Sequence, residues 1–205
     1  MWLKICGMTT PETVAAAVAA RADAIGFVFA PSVRRLTPER AVQLAQAARG
    51  RLRCVAVTRH PTPAELAEIL AVFRPDVLQS DVADFEALRL PAQLERLPVV
   101  RAGQDTAGEL PPRILFEGPA SGSGVTGDWA AARALALRTQ LVLAGGLSAG
   151  NVAAAISAVQ PFGVDVSSGV EVRPGVKSPA EIARFITAAR AASGAPAATA
   201  TEVRS

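Results

Sequence analysis

Short apolar runs alternate with helical patterns along almost the whole of this 205-residue chain, and that alternation admits few folds. Eight runs rich in apolar or β-branched residues stand at 2–6, 24–29, 52–57, 76–79, 98–101, 113–117, 140–144 and 162–166. Helical patterns fall near 11–21, 38–48, 63–73, 129–137, 148–158 and 179–191. Thr10-Pro11-Glu12, Thr37-Pro38-Glu39 and Ser178-Pro179-Ala180 each set a hydroxyl cap before a proline at the first helical position, which fixes three helix starts. Strand and helix in repetition build a parallel sheet covered by helices. Eight units of this kind close into a single (β/α)8 TIM barrel, with its active site at the C-terminal ends of the strands. Segments 82–90 and 103–110 are weak helix formers, the second carrying Gly103 and Gly108, so weak or shortened helices are expected after strands 4 and 5. One catalytic barrel is expected over 1–192, with a small polar tail over 193–205 expected to be disordered.

Composition removes several function classes. Half the residues are hydrophobic, yet no uninterrupted apolar stretch is long enough to cross a bilayer. The start, MWLKICG, lacks the basic-then-apolar design of a secretory signal, and Cys6 and Cys54 are too few for a disulfide framework. A cytoplasmic location with no membrane partner is expected. The net charge of +3 rests on scattered arginines with no basic run, and aromatics make up only 4%, so nothing resembles a nucleic-acid surface.

Two turns carry the first chemical signal. LVLAGG (141–146) stops at Gly145-Gly146, and FGVDVSSG (162–169) stops at Ser167-Ser168-Gly169. Both offer N–H donors and close backbone approach, the second adds hydroxyls, and the loops after strands 7 and 8 are where such barrels seat a phosphate. In the first strand, alternation puts Lys4 and Cys6 on one side, where an ammonium group favours a thiolate. Cys54 lies mid-strand and reads as a buried structural cysteine. The only histidine, His60, sits in a Pro-rich loop and reads as solvated; no cluster of metal ligands is present.

KICG near the start, APSVRRLTPE, ILFEGPASGSGVTGDW, AGGLSAGNV and PFGVDVSSGVE together resemble, in order from about Leu3 to Ile186, the phosphoribosylanthranilate isomerase family of tryptophan biosynthesis. The resemblance implies an Amadori rearrangement of N-(5′-phosphoribosyl)anthranilate to 1-(2-carboxyphenylamino)-1-deoxyribulose 5-phosphate, with no cofactor. It implies that Cys6 is the general base. An aspartate usually ends the family's sixth strand; here Glu117 stands there as the general acid. Where the family commonly reads QLHG, this chain reads LQSDV: Gln79 matches, and Asp81 in the histidine position is a reserve candidate for the acid. Lys4, Gln79 and Asp165 are implied as substrate-binding residues, Asp165 orienting polar groups. A guanidinium suits the anthranilate carboxylate; the family's Ser-x-Arg-x-x-Ser/Thr pattern picks Arg34, with Arg35 left open. Gly122-Ser123-Gly124 is expected to let a loop close over the site.

Three other readings compete. An aminoaldose isomerase of the histidine pathway should show paired aspartates and a half-barrel repeat. An indoleglycerol-phosphate synthase should show several inward lysines, whereas Lys4 and Lys177 are the only lysines. A non-catalytic barrel kept as a scaffold needs no base. Whether the chain is a monomer or a homodimer stays open.

Overall fold

The computed structural model describes residues 1–118 and 128–194; the Gly122-Ser123-Gly124 segment and residues 195–205 lie outside the described residues. Strands β1 (Trp2–Cys6), β2 (Ala24–Val28), β3 (Arg53–Val57), β4 (Val77–Asp81), β5 (Glu95–Arg101), β6 (Arg113–Glu117), β7 (Gln140–Ala144) and β8 (Gly163–Val166) pair in chain order, and β8 returns to β1 to close a parallel barrel. Helices α1 (Pro11–Ala19), α2 (Pro38–Ala45), α3 (Pro63–Val72), α4 (Asp84–Ala87), α5 (Trp129–Ala136), α6 (Val152–Val159) and α7 (Pro179–Ala192) connect them. The thinning expected from the sequence is present: α4 is a single turn, and residues 102–112 after β5 form no helix. Arg138 holds that strap in place by donating to the carbonyls of Thr106 at 2.6 Å and Gly108 at 2.7 Å.

Alternation along the strands makes two cores. Inward positions such as Ala24, Val55, Val77, Leu97, Leu115 and Val142 fill the barrel. Outward positions such as Ile5, Ile25, Cys54 and Leu78 pack beneath the helices, where Phe27 meets Phe73 edge-on at 5.2 Å. Cys54 is thus a buried packing residue. Each fully buried Leu, Ile or Phe contributes about 1.5–3 kcal/mol relative to exposure. Helix starts are fixed locally. Thr10, Thr37 and Ser178 cap α1, α2 and α7 before a proline, and Thr62 does the same for α3, with Glu65 completing a capping box.

Two features depart from the expected layout. β5 begins three residues early, at Glu95, because the barrel's lower rim tolerates charge: Glu95 is exposed and pairs with Arg53 at 3.1 Å. After β8 comes one 3-10 turn (Ser168–Val170) and an antiparallel hairpin of β9 (Glu171–Arg173) and β10 (Val176–Lys177). Strands of three and two residues are too short to show a period of two.

The barrel closes on a buried ion pair. Lys4 on β1 and Asp165 on β8 are register partners, and Lys4 Nζ donates to Asp165 Oδ1 at 2.9 Å. Lys4 is 0% exposed. Removing one partner from such a pair costs about 3–5 kcal/mol, because the other charge stays buried alone. Urea unfolding of Asp165→Asn should therefore show a loss of about that size. The double variant Lys4→Met/Asp165→Leu should recover most of it; a double variant as weak as the single would remove the ion pair from this role.

Candidate active site

A cleft of about 270 Å³ opens among the C-terminal ends of the strands. Cys6 from β1, Gln79 and Asp81 from β4, Glu117 from β6 and Asp165 from β8 all reach it, because odd-numbered or even-numbered positions of each strand share the inward face. Arg34 enters from the β2–α2 connection, and Gly145, Gly146, Ser167 and Ser168 form one wall. A larger hollow of about 440 Å³ lies beside it, between the β2–α2 and β3–α3 connections. That hollow takes in Arg35, not Arg34, and none of the candidate proton-transfer groups, so the smaller cleft is the one with chemistry.

Lys4 does not reach the cleft as a substrate ligand would. It is sealed beneath Cys6 and commits its ammonium to Asp165. Burial pulls the Lys4 pKa down, but Asp165 and Cys6 together outweigh burial and hold it above the ordinary range. The expected activation of Cys6 is correspondingly weak. Burial pushes the Cys6 thiol up, and Lys4 and Lys177 pull it back only in part. Gln79, only 7% exposed, keeps its Oε1 without a hydrogen-bond partner among the described residues. A buried acceptor left open on a cleft wall is suited to a ligand's donor.

Arg34 is already engaged. Its Nε donates to Glu171 Oε1 at 2.6 Å and its Nη2 to Glu171 Oε2 at 2.7 Å, a two-pronged pairing. Lys177, from the hairpin's second strand, donates to Glu171 Oε1 at 3.0 Å and to the Ser167 carbonyl at 2.9 Å. Burial would raise the Glu171 carboxyl, but Arg34 and Lys177 overrule it and hold it down at about 2. On the other side of the cleft, Arg101 lies between Asp81 and Glu117 and bonds to both. His60 is exposed, as its loop suggests, yet it is not simply solvated: its Nδ1 meets Asp84 Oδ1 at 2.8 Å and its Nε2 lies 3.3 Å from Asp81 Oδ2.

The two small-residue turns after β7 and β8 stand against each other. Gly145 (φ 90°) and Gly146 (φ 66°) both take left-handed backbone that a side chain would strain. Gly169 lies behind the cleft wall; a Cβ there would sit 1.9 Å from the Leu147 carbonyl oxygen, so only glycine lets the turns touch. Asn151 braces the first turn, accepting from Ser148 N–H and donating to the Gly146 carbonyl, both at 2.8 Å. Among the described residues, no group of His, Cys, Asp and Glu could hold a metal, and no helix is long and apolar enough to cross a membrane.

Arg101, Glu171 and Lys177 are the site residues that sequence reasoning passes over. The signal for Arg101 is plain in retrospect: Leu97, Val99 and Arg101 share the inward face, and a charge there must meet the cleft. For Glu171 and Lys177 the only signal is the turn pair Pro174-Gly175 between two very short strands.

The Glu171 pairing has a pH signature. A carboxyl lowered from 4.5 to about 2 adds stability that is fully present above pH 4.5 and is lost as pH falls through about 2. The margin of wild type over Glu171→Gln in urea unfolding should shrink across that window. A margin constant from pH 6 downward, on the order of the ordinary scatter in such fits, would contradict the pairing.

Comparison with known proteins agrees with this geometry. The family profile described as N-(5′-phosphoribosyl)anthranilate (PRA) isomerase matches residues 3–188. An N-(5′-phosphoribosyl)anthranilate isomerase of Bradyrhizobium sp. (strain BTAi1) is 43% identical over 209 residues, covering 93% of this chain and 95% of the relative. The crystal structure of TrpF from Jonesia denitrificans superposes with a TM-score of 0.78 at 39% identity, covering 94% of this chain and 98% of that one. A phosphoribosylanthranilate isomerase solved in complex with reduced 1-(o-carboxyphenylamino)-1-deoxyribulose 5-phosphate matches with a TM-score of 0.78 at 30% identity, covering 93% of this chain and 99% of that one. With the family profile spanning residues 3–188 and these relatives covering more than nine-tenths of the chain, the barrel belongs to the N-(5′-phosphoribosyl)anthranilate isomerase family.

Proposed function

We infer that the cleft isomerises N-(5′-phosphoribosyl)anthranilate to 1-(2-carboxyphenylamino)-1-deoxyribulose 5-phosphate, in tryptophan biosynthesis, with Cys6 as base and Glu117 as acid. One observation carries the assignment of roles: a thiol and a carboxyl end β1 and β6 in the same cleft, with the two small-residue turns of β7 and β8 between them. The turns seat the phosphate through backbone N–H groups and the Ser167 and Ser168 hydroxyls. The seat leaves the sugar within reach of both groups.

Glu117, with Oε2 accepting from Arg101 and its proton carried on Oε1, gives that proton to the ring oxygen as the C1′–O bond breaks, and the nitrogen lone pair closes a C1′=N iminium. Cys6, as thiolate, takes the C2′ proton; the electrons form C1′=C2′ and neutralise the nitrogen, giving an enolamine that tautomerises to the ketone. Burial disfavours the thiolate in the resting site, but the iminium is a new cation beside it. The base is therefore favoured at the step that uses it. Only protons move, so no redox or metal group is called on. Gln79 Oε1 accepts from a substrate hydroxyl, and Asp165, held by Lys4, orients another. Glu171 engages Nε and Nη2 of Arg34, and the Nη1 amino group binds the anthranilate carboxylate. A cytoplasmic location goes with this reading, since Cys6 works only as a free thiol and both cysteines are unpaired.

A fluorescence assay following loss of substrate made in situ tests the roles. Cys6→Ser should lower kcat by about 10³-fold or more, and Glu117→Gln by about 10²- to 10⁴-fold. Asp81→Asn should cost less than about tenfold. Active Glu117→Gln with inactive Asp81→Asn would move the acid to β4.

Arg34→Ala should raise KM by about 10- to 100-fold, the loss of a charge-assisted hydrogen bond, while Arg35→Ala stays near wild type. The opposite ranking would hand the carboxylate to the neighbouring hollow.

A further inference from the structure

Arg101 is the last residue of β5 and stands between two carboxyl groups on the flanking strands. Asp81 on β4 pairs in register with Val99, and Glu117 on β6 pairs with Arg101 itself. The two amino groups of the guanidinium separate: Nη2 donates to Asp81 Oδ1 at 2.5 Å, and Nη1 donates to Glu117 Oε2. Asp81 is fastened from its other side as well, with Oδ2 3.3 Å from His60 Nε2 and 3.7 Å from Arg59 Nε. His60 is in turn held by Asp84, which accepts from Ser80 Oγ at 2.5 Å. One arm of a planar, rigid fork is thus moored to a carboxylate that has little freedom of its own. Fixing one arm of such a fork fixes the other.

We propose that Arg101 is a positioning residue that, anchored by Asp81, sets the direction in which Glu117 presents its carboxyl to the sugar. The proposal rests on the reading of Glu117 as the acid. A glutamate has three side-chain torsions, and without a partner its carboxyl spreads over several rotamers. Proton transfer needs hydrogen-bond distance to one ring oxygen, and a displacement of about 1 Å costs about 100-fold in rate. Asp81 therefore acts through Arg101 and not on the substrate. Arg101 is part-exposed at a strand end, its side chain 30% accessible, so replacing it leaves the barrel core closed.

A double-mutant cycle in kcat separates this role from mere support. Arg101→Gln should lower kcat about 10- to 100-fold, with KM within about threefold of wild type and an unchanged thermal melt. Adding Arg101→Gln to Glu117→Gln should cost no more than about a further twofold, since both act on one proton. Arg101→Lys, which keeps the charge and loses the fork, should recover part of the turnover. Wild-type turnover in Arg101→Gln, or losses that multiply in the double variant, would overturn the proposal while leaving Glu117 as the acid. Wild-type turnover in Glu117→Gln alone would overturn the acid reading and this inference with it.

Discussion

The Lys4–Asp165 ion pair is the contact on which the rest of the molecule depends. It joins residues 161 apart in sequence, at the seam where the last barrel strand meets the first. The pair sits directly below Cys6 and three residues before Ser168, so barrel closure, the thiol's surroundings and the placement of the β8 turn all hang on it. Two buried charges are costly to desolvate, and an apolar pair could close a barrel at least as well. What an apolar pair could not do is supply a fixed carboxylate and a fixed cation at the floor of the cleft. The seam accepts a desolvation cost and gives the site a preset electrostatic floor.

Above that floor, two charged assemblies face each other. Arg34, Glu171 and Lys177 form one; Asp81, Arg101 and Glu117 form the other, with His60 and Arg59 behind it. Both follow one design, a single charged group bonded to two opposite partners from different elements. In each, the middle group is Glu171 or Arg101, and neither moves unless two partners move. Such a ring keeps polar side chains aimed without help from a ligand, which lowers the reorganisation needed at the moment of reaction. The Gly/Ser wall reaches the same end by backbone means, through the left-handed Gly145-Gly146 turn and the close approach at Gly169.

Much of this was legible in the residues. The strand–helix alternation, the threonine- and serine-proline caps and the weak segments after the fourth and fifth strands indicate the thinned barrel, since each rests on local chemistry that tertiary context seldom overrides. Inward alternation likewise brings Cys6, Gln79, Asp81, Glu117 and Asp165 to one mouth. What the sequence could not convey was who pairs with whom. Lys4 reads as a partner for Cys6 and does act on it, but the β1–β8 register also gives its ammonium to Asp165. Arg34 reads as an unattached ligand, yet a carboxylate 137 residues away already grips it. Both partners come from closure of the chain on itself, and no window of local sequence contains that information.

The hairpin after β8 divides the labour of the site in a way that bears on how such barrels diversify. Cys6 and Glu117 stand on strands whose positions are fixed by the whole barrel, whereas the grip on Arg34 comes from the seven-residue hairpin 171–177 outside it. A change at Glu171 can re-aim the guanidinium without altering β1 or β6, whereas Lys177, in the same hairpin, also acts on the Cys6 thiol. In a barrel built this way, the aim of one guanidinium can drift through a short hairpin outside the barrel while the strands that carry the thiol and the carboxyl stay as they are.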